Sequence, residues 1–236
     1  MLPFLLSAAL CASAAALGGR ALQATLLEPC TNPRAVGQKR LSAGQLHTCA
    51  LTNVTSVCWG ASKYSPINNL APHAMVPSPK MGFVDISSGD VHTCAVTNAS
   101  TVQCWGLVTI VPDAAVFGQV AVAAGYRHTC LLGEGGGIVC WMMPGFAGGG
   151  YDLGQSAVPA NVSSAGQVAV TSGTYHSCSL SNSGRITCWG QSYMIVPMNA
   201  TANQAMVSAG GYATCSVSVF GVLCCWGRPV GTTSEL

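Results

Sequence analysis

One element recurs along this chain and restricts what it can fold into. Gly89-Asp90-Val91-His92-Thr93-Cys94-Ala95-Val96, followed by Val102-Gln103-Cys104-Trp105-Gly106, has four relatives in the same sequence. Gly44 to Gly60 reads G-Q-L-H-T-C-A-L and then V-C-W-G, and Gly125 to Trp141 reads G-Y-R-H-T-C-L-L and then V-C-W. Gly173 to Gly190 reads G-T-Y-H-S-C-S-L and then I-T-C-W-G, and Gly210 to Gly227 reads G-G-Y-A-T-C-S-V and then L-C-C-W-G. The intervals from Trp59 through Trp105, Trp141 and Trp189 to Trp226 are 46, 36, 48 and 37 residues. A period near 40 with strand-like content is that of propeller blades. No stretch shows sustained helical periodicity.

The strands can be placed from the fourth copy. Val168-Ala169-Val170-Thr171 alternates into Gly173, His176 to Leu180 forms a second strand, and Arg185 to Trp189 a third. Asn182-Ser183-Gly184 between the last two is a tight-turn signature. A proline lies 11 to 14 residues before each repeat glycine, at Pro33, Pro77, Pro112, Pro159 and Pro197. It is expected to open a further edge strand, where a missing N–H is tolerated.

The cysteines follow the same register. Cys94/Cys104, Cys130/Cys140, Cys178/Cys188 and Cys215/Cys225 are ten residues apart, and Cys49/Cys58 nine. In a hairpin centred on residue 183, Cys178 and Cys188 stand opposite each other, which brings their Cβ atoms into disulfide range. Short loops closed in this way contribute about 2–3 kcal/mol each. Cys30 and Cys224 are left over. Cys224 adjoins Cys225, so its side chain points to the other face of the strand. It is expected to pair with Cys30 and tie the N-terminus to the last repeat.

Two other readings of His-x-Cys…Cys remain. A zinc site would need the histidine in every copy, yet the last copy has Ala213 and keeps both cysteines. A Cys–His nucleophile would not need a second cysteine in register in all five copies. The expectation is therefore no metal, no cofactor and no catalytic residue. The histidine is read as a packed polar residue bonding neighbouring backbone, and the tryptophan as filler between blades.

Composition sets the compartment and excludes some partners. Half the residues are apolar and only 7% are charged, with a net charge of +2 and no basic run. That gives no electrostatic basis for binding nucleic acid. Residues 1–18 are almost wholly apolar and Ala-rich, ending in small residues, and read as a cleaved secretory signal. The most apolar later stretch, Leu107 to Ala124, is interrupted by Pro112 and Asp113, so no transmembrane segment is expected. Asn53, Asn98, Asn161 and Asn199 begin N-x-S/T sequons and are candidate glycosylation sites. Residues 19–32 form a lead-in, 33–229 the repeats, and 230–236 a tail.

The pattern G-x-x-H-T-C-A-L…V-x-C-W-G resembles the repeat of the regulator-of-chromosome-condensation family. It is most similar to the family's cysteine-bearing extracellular branch, found in plant crinkly-type receptor ectodomains and in secreted bacterial proteins. Leu153-Gly154-Gln155 resembles a remnant of the family's Gly-Gln-Leu-Gly element. The resemblance implies an all-β, RCC1-like β-propeller acting as a binding platform. The family usually closes seven blades, so five visible repeats are a closed smaller ring, an incomplete ring, or part of a larger one. The implied function is a secreted, disulfide-stabilised, non-catalytic module for a protein or glycan partner. The alternatives are an extracellular propeller hydrolase, a structural cell-surface or wall protein, and an intracellular guanine-nucleotide exchange factor. The carboxylates Glu28, Asp85, Asp90, Asp113, Glu134, Asp152 and Glu235 show no paired pattern.

The repeats differ most between the CWG tryptophan and the next proline, an interval that is long after Trp59 and Trp141. Equivalent loops of a propeller rise on one rim. The second insertion carries Met142, Met143, Phe146 and Tyr151 among glycines, and the first carries Tyr64. Methionines and aromatics on a glycine-rich loop suit a contact surface. These five residues are the expected binding patch.

Overall fold

The computed structural model describes residues 41–45, 47–52, 56–60, 82–106, 110–113, 118–143, 151–191 and 195–227. The segment read as a secretory signal, Cys30, Asn53, Tyr64, Phe146 and residues 230–236 lie outside them. Among the described residues, five three-stranded antiparallel sheets follow one another along the chain. They are β1 Leu41–Ala43, β2 His47–Leu51 and β3 Ser56–Gly60; β4 Phe83–Ser88, β5 His92–Thr97 and β6 Val102–Gly106; and β7 Gln119–Ala124, β8 His128–Gly133 and β9 Ile138–Met142. The fourth is β10 Gln167–Ser172, β11 His176–Ser181 and β12 Ile186–Gly190, and the fifth is β13 Gln204–Ala209, β14 Ala213–Ser218 and β15 Leu223–Gly227.

The hairpin register is the one read from the fourth repeat. Cys178 faces Cys188 and His176 faces Gly190. The turn between β11 and β12 places Gly184 at φ +75°, a left-handed conformation that glycine enters at little cost. Disulfides join Cys49–Cys58, Cys94–Cys104, Cys130–Cys140, Cys178–Cys188 and Cys215–Cys225, with Cα atoms 4.0–4.1 Å apart. Cys224 is a free thiol whose Sγ lies 3.3 Å from Asn199 Oδ1, and Cys30, its expected partner, lies outside the described residues.

The prolines correct one expectation. Pro159 and Pro197 begin no fourth strand. They lead with extended ψ into short helical turns, α1 Ala160–Ser163 and a 3-10 turn Met198–Ala200. A fixed φ and an absent N–H are harmless there, because the first N–H groups of a helix have no internal partner.

The core is divided into four clusters, one between each pair of successive sheets. Trp189 of β12 packs on Cys130, Leu132 and Ile138 of the third sheet. Trp226 packs on Cys178, Leu180 and Ile186 of the fourth. Trp141 and Trp105 take the same place over the second and first sheets. Burying one such aliphatic side chain contributes about 1.5–3 kcal/mol. The tryptophan after the second cysteine is thus the filler between sheets that its recurrence implied.

Polar stitches run across the same interfaces. The Nε2 atoms of His47, His92, His128 and His176 meet Thr93, Thr129, Ser177 and Thr214 hydroxyls at 2.6–2.9 Å. Each hydroxyl belongs to the next sheet and follows that sheet's own repeat histidine, or Ala213 in the last. The expectation of bonds to neighbouring backbone is corrected here for Nε2, because the ring reaches across the interface. A second set joins the first strands. Ser42, Ser87 and Thr171 hydroxyls accept from the backbone N–H of Ser88, Ala124 and Ala209. Buried Asp85 accepts from Val122 N at 2.8 Å. The glycine that precedes each histidine by three is required by contact: a Cβ on Gly125 would meet the His128 ring and the Gly173 carbonyl. Among the described residues, Gly210 has no such neighbour from another repeat. The array is therefore a propeller-like succession whose ring is not seen to close.

Candidate functional site

The β-turns between the first and second strands of all five sheets converge on one cavity of about 500 Å³. Its position follows from the repeat, because each Gly-x-x-His segment forms one of these turns. Of the two residues between glycine and histidine, all but Arg127 line the opening in the last three repeats. The pairs are Tyr126-Arg127 in the third repeat, Thr174-Tyr175 in the fourth and Gly211-Tyr212 in the fifth. The first two repeats supply Gln45 and Asp90 instead.

Aromatic contacts follow one another along three repeats. Tyr175 meets Tyr126 edge-on at 5.8 Å between ring centroids, and Tyr212 lies 6.2 Å from Tyr175 at a tilt of 47°. Tyr151 extends the row, edge-on to Tyr126 at 6.2 Å. The Arg127 guanidinium sits over the Tyr126 ring at 4.6 Å and the Tyr151 ring at 4.3 Å, and it donates to the Tyr126 hydroxyl. Such stacking holds the cation against the aromatic rim. Partial desolvation and the neighbouring tyrosines push the Tyr175 phenol above its usual pKa, so it stays neutral and can donate a hydrogen bond.

Tyr151 owes its place to Leu153-Gly154-Gln155. Gln155 is buried; its side-chain oxygen accepts from Leu153 N and its amide donates to the Tyr151 carbonyl at 2.6 Å. Its own carbonyl accepts from the Trp189 indole at 2.9 Å and from the Ser177 hydroxyl. A single polar side chain therefore anchors the end of the long insertion between the third and fourth sheets.

The expected five-residue patch is only partly present. Tyr151 is 43% exposed and stands at the cavity rim. Met143 is buried at 3% exposure, its N–H donating to the Arg127 carbonyl, so it is not part of an exposed surface. Met142 ends β9 opposite His128 and is half-buried. The strand simply runs longer than the apolar composition of the loop implied, and its last pairings draw the methionines inward. Phe146 and Tyr64 lie outside the described residues. Asn98, Asn161 and Asn199 are exposed, Asn98 in the turn between β5 and β6. Tyr126, Arg127, Tyr175 and Tyr212 were not singled out from the sequence. The clue was available: three of five repeats carry tyrosine between the glycine and the histidine position.

Two of the repeat histidines are held neutral by burial. Burial, followed by the neighbouring His92 and His176, lowers the His128 pKa to about 3, and burial lowers that of His176 to about 4. Both stay neutral and serve the interfaces. The cysteines beside them are oxidised, which removes the thiolates that zinc or nucleophilic chemistry would need.

Comparison with known proteins agrees with this architecture. Residues 167–194 match the Regulator of chromosome condensation (RCC1) repeat. No curated protein matches the sequence. The crinkly WD40 ectodomain of the Arabidopsis thaliana receptor kinase ACR4 superposes with a TM-score of 0.59 at 23% identity, covering 83% of this chain and 65% of that one. The entire ectodomain of the Physcomitrella patens receptor kinase CR4 gives 0.61 at 26% identity, covering 79% and 51%. Yeast RCC1 gives 0.59 at 16% identity, covering 79% and 55%. The chain thus spans between half and two thirds of the length of these structures. It has the RCC1-like propeller fold and resembles both RCC1 and the crinkly-type ectodomains.

Proposed function

We propose that this chain is an extracellular, disulfide-stapled RCC1-like module that binds a protein or glycan partner and performs no catalysis. One observation carries the reading: every described sheet holds one disulfide at the same register. Such bonds form and persist in oxidising compartments. The likeness to crinkly-type receptor ectodomains points the same way. A secretory signal over residues 1–18 and glycans on the exposed Asn98, Asn161 and Asn199 belong to this proposal.

The binding surface is the rim of the convergent cavity, where Tyr126, Tyr151, Tyr175 and Tyr212 gather with Arg127. Tyrosine and arginine are the residues that concentrate binding energy in contact surfaces. The carboxylates support a non-catalytic role. Asp85 is buried against Val122 N, and Glu134 takes a hydrogen bond from the Ser100 hydroxyl on an exposed turn. Neither lines the convergent cavity.

The test is expression of the whole chain in a eukaryotic secretory host. Recovery from the medium with the five disulfides mapped and the sequons glycosylated is expected. The secreted protein should bind saturably to cell-surface or extracellular-matrix material, and Tyr126→Ala with Tyr175→Ala should remove that binding. Retention in the cytosol with free thiols defeats the extracellular assignment. Saturable binding that survives the double substitution moves the surface elsewhere.

A further inference from the structure

We propose that the convergent cavity is a carbohydrate site for a neutral saccharide, held by tyrosine rings and by hydrogen-bonding groups of the same set of turns. The proposal rests on the binding-module reading above and names its ligand. The cavity, at about 500 Å³, lies within the ~300–1,000 Å³ usual for small-ligand sites.

The walls indicate the ligand's chemistry. Among the described residues they contain no aliphatic side chain larger than alanine. An apolar peptide anchor such as leucine would therefore find little to pack against. What the walls do offer falls into two groups. Tyr126, Tyr175 and Tyr212 form a curved aromatic side whose members meet edge-on or tilted, so their rings do not cover one another face to face. In the turns of the first two repeats Gln45 and Asp90 supply an amide and a carboxylate, and Thr174 adds a hydroxyl beside Tyr175, together with the serines and glycine backbone of the turns. A sugar ring matches both groups. Its axial C–H face packs on aromatic surface, and its equatorial hydroxyls both donate and accept.

Charge restricts the ligand further. The Gln45 side-chain amide lies against the Asp90 carboxylate, and the Arg127 guanidinium is taken up by two tyrosine rings at the rim. Neither charge is directed alone into the opening, so a strongly anionic or cationic ligand has no dedicated counter-ion. A neutral oligosaccharide fits: one unit in the cavity and further units along the Tyr212 and Tyr151 rims, where both rings are over 40% exposed.

The experiment is calorimetric and fluorescence titration of the disulfide-intact full chain. The probes are soluble cello-, xylo-, manno- and chito-oligosaccharides, with oligogalacturonide as the acidic control. At least one neutral series should bind saturably and quench tyrosine emission. Tyr175→Ala should weaken it about tenfold or more, the loss of one stacking contact, whereas Tyr175→Phe should retain it. Asp90→Asn should weaken it as well, and disulfide mapping confirms that each variant is folded. The proposal falls if no neutral series binds, if Tyr175→Ala binds unchanged, or if the acidic control binds best. Should a cell-surface protein bind in a Tyr175-dependent way while every sugar fails, the module reading stands and the carbohydrate assignment falls. If neither binds, both fall.

Discussion

The interface between the third and fourth sheets and the far face of the fifth sheet are built from equivalent positions with opposite outcomes. In the first, Ile138 and Leu132 are buried under Trp189, and His128 reaches Ser177. Among the described residues, no sheet lies beyond the matching positions of the fifth sheet. Leu223, the counterpart of Ile138, is 64% exposed, Met206, the counterpart of buried Ala121, is 66% exposed, and Ala213 stands where the histidine would be. Ser208, the counterpart of Thr171, is exposed as well. The first sheet shows the complementary defect: Trp59 is 50% exposed, whereas Trp105, Trp189 and Trp226 are buried. A repeat sequence therefore specifies half an interface on each side. Whether a given half is buried depends on a neighbour, as in other stacked-repeat proteins.

The largest expected effect separates the two tryptophan environments. Trp189→Ala should cost about 3–5 kcal/mol, because it empties a closed interface and leaves the Gln155 carbonyl without its indole partner. Trp59→Ala should cost about 1 kcal/mol or less, as its indole is half in solvent already. Denaturant unfolding under non-oxidising, non-reducing conditions measures both. Equal losses would mean that Trp59 is covered in solution.

Acid should act on the internal interfaces and spare the open face. The folded pKa values of His128 and His176, about 3 and about 4, lie below the ordinary 6.5. The unfolded chain then binds more protons between these values, so stability is complete above about pH 6.5 and declines as pH falls toward 4. Between pH 7 and pH 5 each histidine should cost about 2 kcal/mol. His128→Gln should flatten the profile by its share, while Ala213→Val should leave it unchanged. A stability that is constant from pH 7 to pH 5 contradicts the neutral buried state of both rings.

Thr214→Val probes one stitch by itself. It keeps the shape and removes the hydroxyl that His176 Nε2 uses, so a loss of about 1–3 kcal/mol is expected in thermal or denaturant unfolding. Ser208→Val, at the unmatched position on the fifth sheet, should be within about 0.5 kcal/mol of the parent.

The smallest effect is expected on the open face. Leu223→Ser and Met206→Ser should change stability by about 0.5 kcal/mol or less, and they should reduce binding of an apolar dye. A cost above about 2 kcal/mol would show that this face is packed in solution and would erase the contrast drawn with the third sheet.

Much of this fold was legible from the chain alone because it is local. The strands, the turn at Gly184 and the five cysteine pairs are set within about ten residues by alternation, by turn chemistry and by antiparallel register. The expected fourth strand at the prolines failed because proline excludes a ladder donor but is equally compatible with a helical turn, and local sequence does not choose between them. The cavity tyrosines were visible only as variable positions within the repeat motif. Nothing local says that turns more than 35 residues apart share one opening.

What the sequence determined by itself, then, is the unit: a hairpin with its staple, plus the histidine, hydroxyl and tryptophan that make it ready to stack. Tertiary structure alone decided the partners of that unit. His92 finds Thr129 and His128 finds Ser177 across 37 and 49 residues, Gln155 locks Tyr151 beside Tyr126, and Met143 is drawn under the rim. The physical reason is that backbone hydrogen bonds within a hairpin are satisfied by neighbours in the chain, whereas a side chain is buried only when a distant sheet arrives to cover it.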